Sequence, residues 1–146
     1  MARKLSEDEI GRLGELAETL RRWQPDFSAE RFSGRGIVIA AGGATVFTNA
    51  YVLVSVLRDT LGCALPIEVW HLGAAEMSPS MAALLGELGA TVVDAGPLVA
   101  ETGASVRDGW QLKPFAMLHS RFAEVLLLDA DQVPIRDPAI CFEWPE

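Results

Sequence analysis

Apolar residues recur along this chain in two rhythms. The first has helical spacing and runs through Ile10, Leu13, Leu16, Ala17 and Leu20. It starts behind Ser6-Glu7-Asp8-Glu9, which has the form of a capping box with Ser6 at the N-cap and Glu9 three residues on. This predicts an amphipathic helix over about Glu7 to Trp23, stopped by Pro25. A polar stretch from Asp26 to Arg35 then joins it to the rest of the chain.

The second rhythm begins at Ile37. Ile37-Val38-Ile39-Ala40-Ala41 is a short β-branched run with no polar face, and it ends in Gly42-Gly43. A helical segment is predicted from about Thr45 to Leu61, a strand over Ile67 to Leu72, a helix over Pro79 to Leu88 and a strand at Thr91-Val92-Val93. Ser78 caps the Pro79 helix, and Pro79 sits in the first turn, where a missing N–H costs nothing. Asp94 to Asp108 is rich in Gly and Ala and predicts no regular element. A helix over about Gln111 to Ser120 and a strand from Glu124 to Leu128 complete the series.

Strands that alternate with helices and are apolar on both faces belong to a mostly parallel sheet covered on both sides. The expected fold class is therefore α/β. Two units are expected: residues 1–33, a helix and linker, and residues 34–146, the sheet domain. The first helix is an appendage, packed on the sheet or presented to a partner.

Composition narrows the function. Half of the 146 residues are hydrophobic, enough for a real core. The formal charge is −8, which disfavours a nucleic-acid partner, since phosphate binding rests on clustered Lys and Arg. Cys63 and Cys141 are too few for a disulfide framework and lack metal-ligand spacing. They read as ordinary thiols of a reducing compartment. The start of the chain is charged and has no signal-like apolar region, and no apolar run reaches the ~20 residues of a membrane span. The cytoplasm is the expected location, unless a targeting segment has been removed.

The candidate chemistry gathers at Val125-Leu126-Leu127-Leu128-Asp129-Ala130-Asp131. An apolar strand delivers two carboxylates at its C-terminal end, the edge where open α/β sheets bind ligands. Two acids one residue apart repel, and a divalent cation, Mg²⁺ or Mn²⁺, relieves that and bridges to a diphosphate. Asp129 and Asp131 are thus candidate metal ligands, although either Asp could equally begin a turn. Gly42 and Gly43 permit close backbone approach by a ligand, or simply make a strand-to-helix turn. They match neither the dinucleotide fingerprint nor a P-loop. In Gly109-Trp110-Gln111-Leu112-Lys113-Pro114, Lys113 could neutralise a diphosphate and Trp110 could stack on a flat face. Read alone, that segment is a loop with a packed Trp and a solvated Lys. His71 and His119 have no ligand-spaced partner and read as satisfied polar groups near the core.

Four ordered blocks carry a resemblance. They are Gly36-Ile37-Val38-Ile39 with Gly42-Gly43, Leu65-Pro66-Ile67-Glu68-Val69-Trp70-His71, Gly109 to Phe115, and Leu127-Leu128-Asp129-Ala130-Asp131 with Val133-Pro134. Together, over about Gly36 to Glu143, they resemble the mannosyltransferase family known from fungal Golgi α-1,2- and α-1,3-mannosyltransferases. The resemblance implies the GT-A fold, a Rossmann-like sheet with a D-x-D metal site. It also implies transfer of a hexose from a nucleotide-sugar, GDP-mannose or a UDP-sugar, to a glycan or other hydroxyl acceptor. In that reading Asp131 ligates the metal directly and Asp129 touches the metal or the ribose. Lys113 lies near the diphosphate, and Gly42 and Gly43 border the nucleotide. GT-A chains continue beyond their D-x-D, whereas 15 residues follow Asp131 here, so the sheet domain is expected to be incomplete at its C-terminal end. No residue stands out as a catalytic base.

Two other readings compete. A non-catalytic nucleotide- or protein-binding module is one. The other is an aspartate-nucleophile phosphohydrolase, which Asp129-x-Asp131-x-Val133 loosely fits. That motif normally opens its chain, whereas 128 residues precede it here.

Overall fold

The structure is a computed structural model and describes residues 6–22 and 29–144. Helix α1 covers Glu7–Arg22. Its capping box is formed: the Ser6 N–H donates to Glu9 Oε2 at 2.8 Å and the Glu9 N–H to Ser6 Oγ at 3.3 Å. Trp23, Pro25 and the first part of the expected linker lie outside the described residues. The apolar stripe of α1 is uncovered rather than packed on the sheet, with Ile10, Leu13 and Leu16 each more than half exposed.

The sheet domain follows. Its elements are β1 (Arg35–Ala40), α2 (Gly43–Ser55), β2 (Ile67–His71), α3 (Pro79–Glu87), β3 (Ala90–Asp94), α4 (Gly96–Thr102), α5 (Gly109–His119) and β4 (Glu124–Asp129). Helix α2 ends in a wider π turn, Val56–Thr60. At that turn the Arg58 guanidinium donates to the carbonyls of Cys63, Leu88 and Gly89, tying α2 to the α3–β3 connection. Short 3₁₀ turns lie at Ala29–Arg31 and Pro138–Glu143. The four strands are all parallel in the order β3-β2-β1-β4.

The Gly- and Ala-rich stretch from Asp94 to Asp108 is more ordered than its composition predicts, because it contains α4. Pro97 suits the first turn of that helix, and Gly103, at φ +67°, ends it in the left-handed region. Leu98 and Val99 tuck partly against the sheet.

Alternation along β1 divides the core. Ile37 and Ile39 face α2 and α3, packing with Leu53, Val54, Leu57 and Leu85. Val38 and Ala40 face the other way, with Trp70, Leu112, Phe115 and Phe122 under α4 and α5. The result is a sheet with helices on both faces, as a parallel sheet requires. A carboxylate is deeply buried on the α5 side. Glu68 is 4% exposed; Trp70 Nε1 donates to its Oε2 at 2.9 Å, and Arg121 Nε lies 3.4 Å from Oε1. His71 is likewise buried, with Nδ1 3.1 Å from the Gly73 carbonyl.

His119, at the end of α5, stacks on Phe115 with ring centroids 4.3 Å apart and has Nδ1 3.2 Å from an Arg31 guanidinium nitrogen. Burial lowers its pKa below the usual 6.5, and the Arg31 charge lowers it further. The unfolded chain therefore binds the His119 proton more readily than the folded chain does. Stability on this account is complete above about pH 6.5 and falls as pH drops from there towards the folded pKa. His119→Gln should flatten that part of the profile. The check is the urea midpoint at pH 7.5 and 5.5 for both proteins. An equal acid-side drop in wild type and variant would count against the assignment.

Candidate functional site

Strand β1 leads through α2 to β2 on one side, whereas β4 lies on its other side and is entered from α5. Helix α2 covers one face of the sheet and α5 the other. The C-terminal ends of β1 and β4 therefore flank a topological switch point, where chain connections part and leave a crevice. A cleft of about 350 Å³ opens there. Ala40, Val46, Asn49, Gly109, Trp110, Lys113 and Asp129 to Asp131 line it.

Each functional side chain is placed by local structure. Asp108 caps α5, its Oδ1 accepting from the N–H groups of Trp110 at 3.0 Å and Gln111 at 3.1 Å. That cap starts the helix at Gly109, two residues ahead of the expected Gln111. The Trp110 and Lys113 segment is thus a helical first turn and not a loop. At spacing i, i+3 the two side chains share one face of α5. Lys113 Nζ stands 4.3 Å from the Trp110 ring centroid. Trp110 is not packed: it is 79% exposed at the cleft mouth.

Strand β4 ends on Asp129, whose register partner is Ala40. A tight turn follows, closed by the Gln132 N–H on the Asp129 carbonyl at 3.0 Å. The Gln132 side chain accepts in return from the Asp129 N–H at 2.9 Å. The turn buries Ala130 and leaves Asp131 exposed. Lys113 Nζ lies 2.6 Å from Asp129 Oδ1, so Lys113 is ion-paired rather than solvated. Among the described residues no ion pair to Asp131 is found.

Among the described residues no three His, Cys, Asp or Glu side chains converge on one point. Two carboxylates are too few to cage a cation by protein alone. They suit Mg²⁺ or Mn²⁺ taking its other ligands from a diphosphate and water, since such ions commonly rest on one or two carboxylates plus substrate phosphates.

Trp110, Lys113, Asp129 and Asp131 are thus brought together. Gly42 is the N-cap of α2 and Gly43 its first residue, at the same sheet edge, but neither lines the cleft. Gly43 has φ +74° and its N–H donates to the Glu76 carbonyl at 2.9 Å. Gly42 lies against Glu76: a Cβ there would overlap the Glu76 carboxylate, which accepts from the Leu72 N–H at 2.9 Å. Close packing with the β2–α3 loop is therefore one physical reason for that glycine. Asn49 also lines the cleft; it bounds the segment Gly36 to Asn49 but is not singled out by sequence, although its amide stands one turn after Val46.

Both cysteines are free thiols. Cys63 is buried, and burial pushes its pKa up, helped by a hydrogen bond to Asp137.

Comparison with known proteins points to one family. A family profile described as "Mannosyltransferase putative" matches residues 34–146. An alpha-1,2-mannosyltransferase of Candida albicans, MNN24, is 31% identical over 151 aligned positions, covering 94% of this chain. The chain spans 21% of the length of that relative. Among the described residues no helix is long and apolar enough to cross a membrane. With a profile match over the whole sheet domain, the chain belongs to this mannosyltransferase family.

Proposed function

We propose that this chain binds the nucleotide-sugar donor of a mannosyltransferase in the β1–β4 cleft. The observation that carries the reading is the convergence of Trp110, Lys113, Asp129 and Asp131 at the sheet's switch point. In this reading Asp131 and Asp129 hold Mn²⁺ or Mg²⁺, which as a Lewis acid stabilises charge on the departing nucleoside diphosphate. Lys113 offers a point charge to the phosphates. Trp110, stacked on one side by Lys113, offers its ring to a base or sugar. Gly42 and Gly43 form the β1 rim beside the nucleotide. The donor is GDP-mannose or a UDP-sugar, and the acceptor is a hydroxyl of a glycan or similar molecule.

Titration calorimetry of the intact chain with GDP, UDP and GDP-mannose, each with and without Mn²⁺, tests this. Binding of at least one nucleotide only in the presence of the metal is the expected result. A well-folded chain that binds none of them at millimolar concentration would remove the donor-site reading.

A further inference from the structure

The two charged groups that a metal diphosphate would need are engaged with each other. Lys113 Nζ lies 2.6 Å from Asp129 Oδ1 and 4.3 Å from the Trp110 centroid, in a half-buried position. A cation approaching Asp129 meets the positive charge of the ammonium seated on that oxygen. Lys113 in turn presents no free charge to a phosphate while Asp129 neutralises it. Asp131, exposed and without an ion pair among the described residues, is the carboxylate that can receive a cation first.

We infer that Lys113 is a positioning residue that locks the Asp129 carboxylate and couples the two ligands. This rests on the donor-site reading above. The ion pair fixes the Asp129 carboxylate at the end of β4. When a divalent cation takes the Asp129 oxygen, Lys113 is released from both Asp129 and the Trp110 face. It is then free to pair with the diphosphate in the same cleft. Each ligand thus removes a contact that opposes the other, and such coupling is reciprocal by linkage. A lysine that acts only as a solvated phosphate ligand would leave metal binding alone unchanged.

The test uses Mn²⁺, Mg²⁺ and GDP with the full chain. Free Mn²⁺ is counted by electron paramagnetic resonance, and tryptophan emission is followed during Mg²⁺ titration, with Trp110→Phe assigning the signal. In the wild type, Mg²⁺ alone should change the Trp110 emission as the ammonium leaves the ring, and GDP should bind more weakly without metal than with it. In Lys113→Met the emission step should vanish. Mn²⁺ alone should bind about threefold tighter, the scale of a partly exposed ion pair. GDP with Mn²⁺ should bind about tenfold weaker, the scale of one charged hydrogen bond. If wild type binds Mn²⁺ with GDP but saturating Mg²⁺ leaves Trp110 emission unchanged, the lock is wrong and the donor site stands; this arm does not depend on the variant folding. Equal or weaker Mn²⁺ affinity in a folded Lys113→Met overturns it too. If the wild type binds neither ligand, the donor-site reading fails and the lock fails with it.

Discussion

Asp131→Ala is expected to weaken metal-dependent GDP binding by about 100-fold or more while leaving the fold untouched. Changes merely beside a metal ligand cost about 10- to 100-fold in metal affinity, so loss of a ligand itself should reach the top of that range. The fold should survive because Asp131 is exposed in the turn after β4 and has no ion pair among the described residues. The turn itself is closed by Gln132 and Asp129. Two measurements separate the effects: calorimetric GDP affinity in Mn²⁺, and the urea midpoint without ligand. Unchanged affinity in the variant would show that Asp131 holds no metal, whatever its neighbour does. Asp129→Ala would be a less clean probe, since it also strips Lys113 of its partner.

Gly36→Ala should do the reverse, damaging stability through packing with no charge involved. Gly36 is buried in β1, paired with Val125 of β4. A Cβ built there would overlap the Phe122 ring, with Cδ2 at 2.5 Å. Phe122 is itself buried under α5 and cannot swing into solvent. Overpacking a rigid core position costs about 3 kcal/mol at the upper end of its usual range. The urea midpoint should fall with an unchanged slope. An unfolding free energy within about 0.5 kcal/mol of wild type, the scatter typical of harmless surface changes, would mean that the β1–β4 seam yields more easily than its packing indicates.

The sheet was legible in the sequence because its strands announce themselves. Ile37 to Ala41, Ile67 to Leu72 and Glu124 to Leu128 are short apolar runs ended by Gly, His or Asp, and each is a strand within a residue or two. Helix α4 was not legible, since seven residues cannot display a period and its Gly and Ala content imitates a loop. That Asp129 and Asp131 stand at the cleft follows from their place at the C-terminal end of β4, directly after Leu128. The state of Lys113 could not be read in the sequence, because an ion pair across sixteen residues depends on where α5 packs against β4. The Trp110 exposure was misjudged for a related reason: Asp108 starts the helix early and turns the indole outward. Asn49 required knowing that β1 and β4 are neighbours. The apolar stripe of α1 was read correctly as amphipathic, but amphipathicity states that a face seeks cover and not what covers it.

Strand β1 meets β4 across a gap of 89 residues, as the Arg35–Glu124 contact at its lower end shows. The walls of the cleft belong to those two strands and to the helices beside them. During synthesis, β1, β2 and β3 can pair while α5 and β4 are still being made, yet no cleft exists until β4 docks. Closing so long a loop is paid for in chain entropy before any contact returns it, which makes this the slow step by topology. The cleft should therefore form only when β4 docks, and under the proposed donor-site reading a nucleotide probe added during refolding would report that docking.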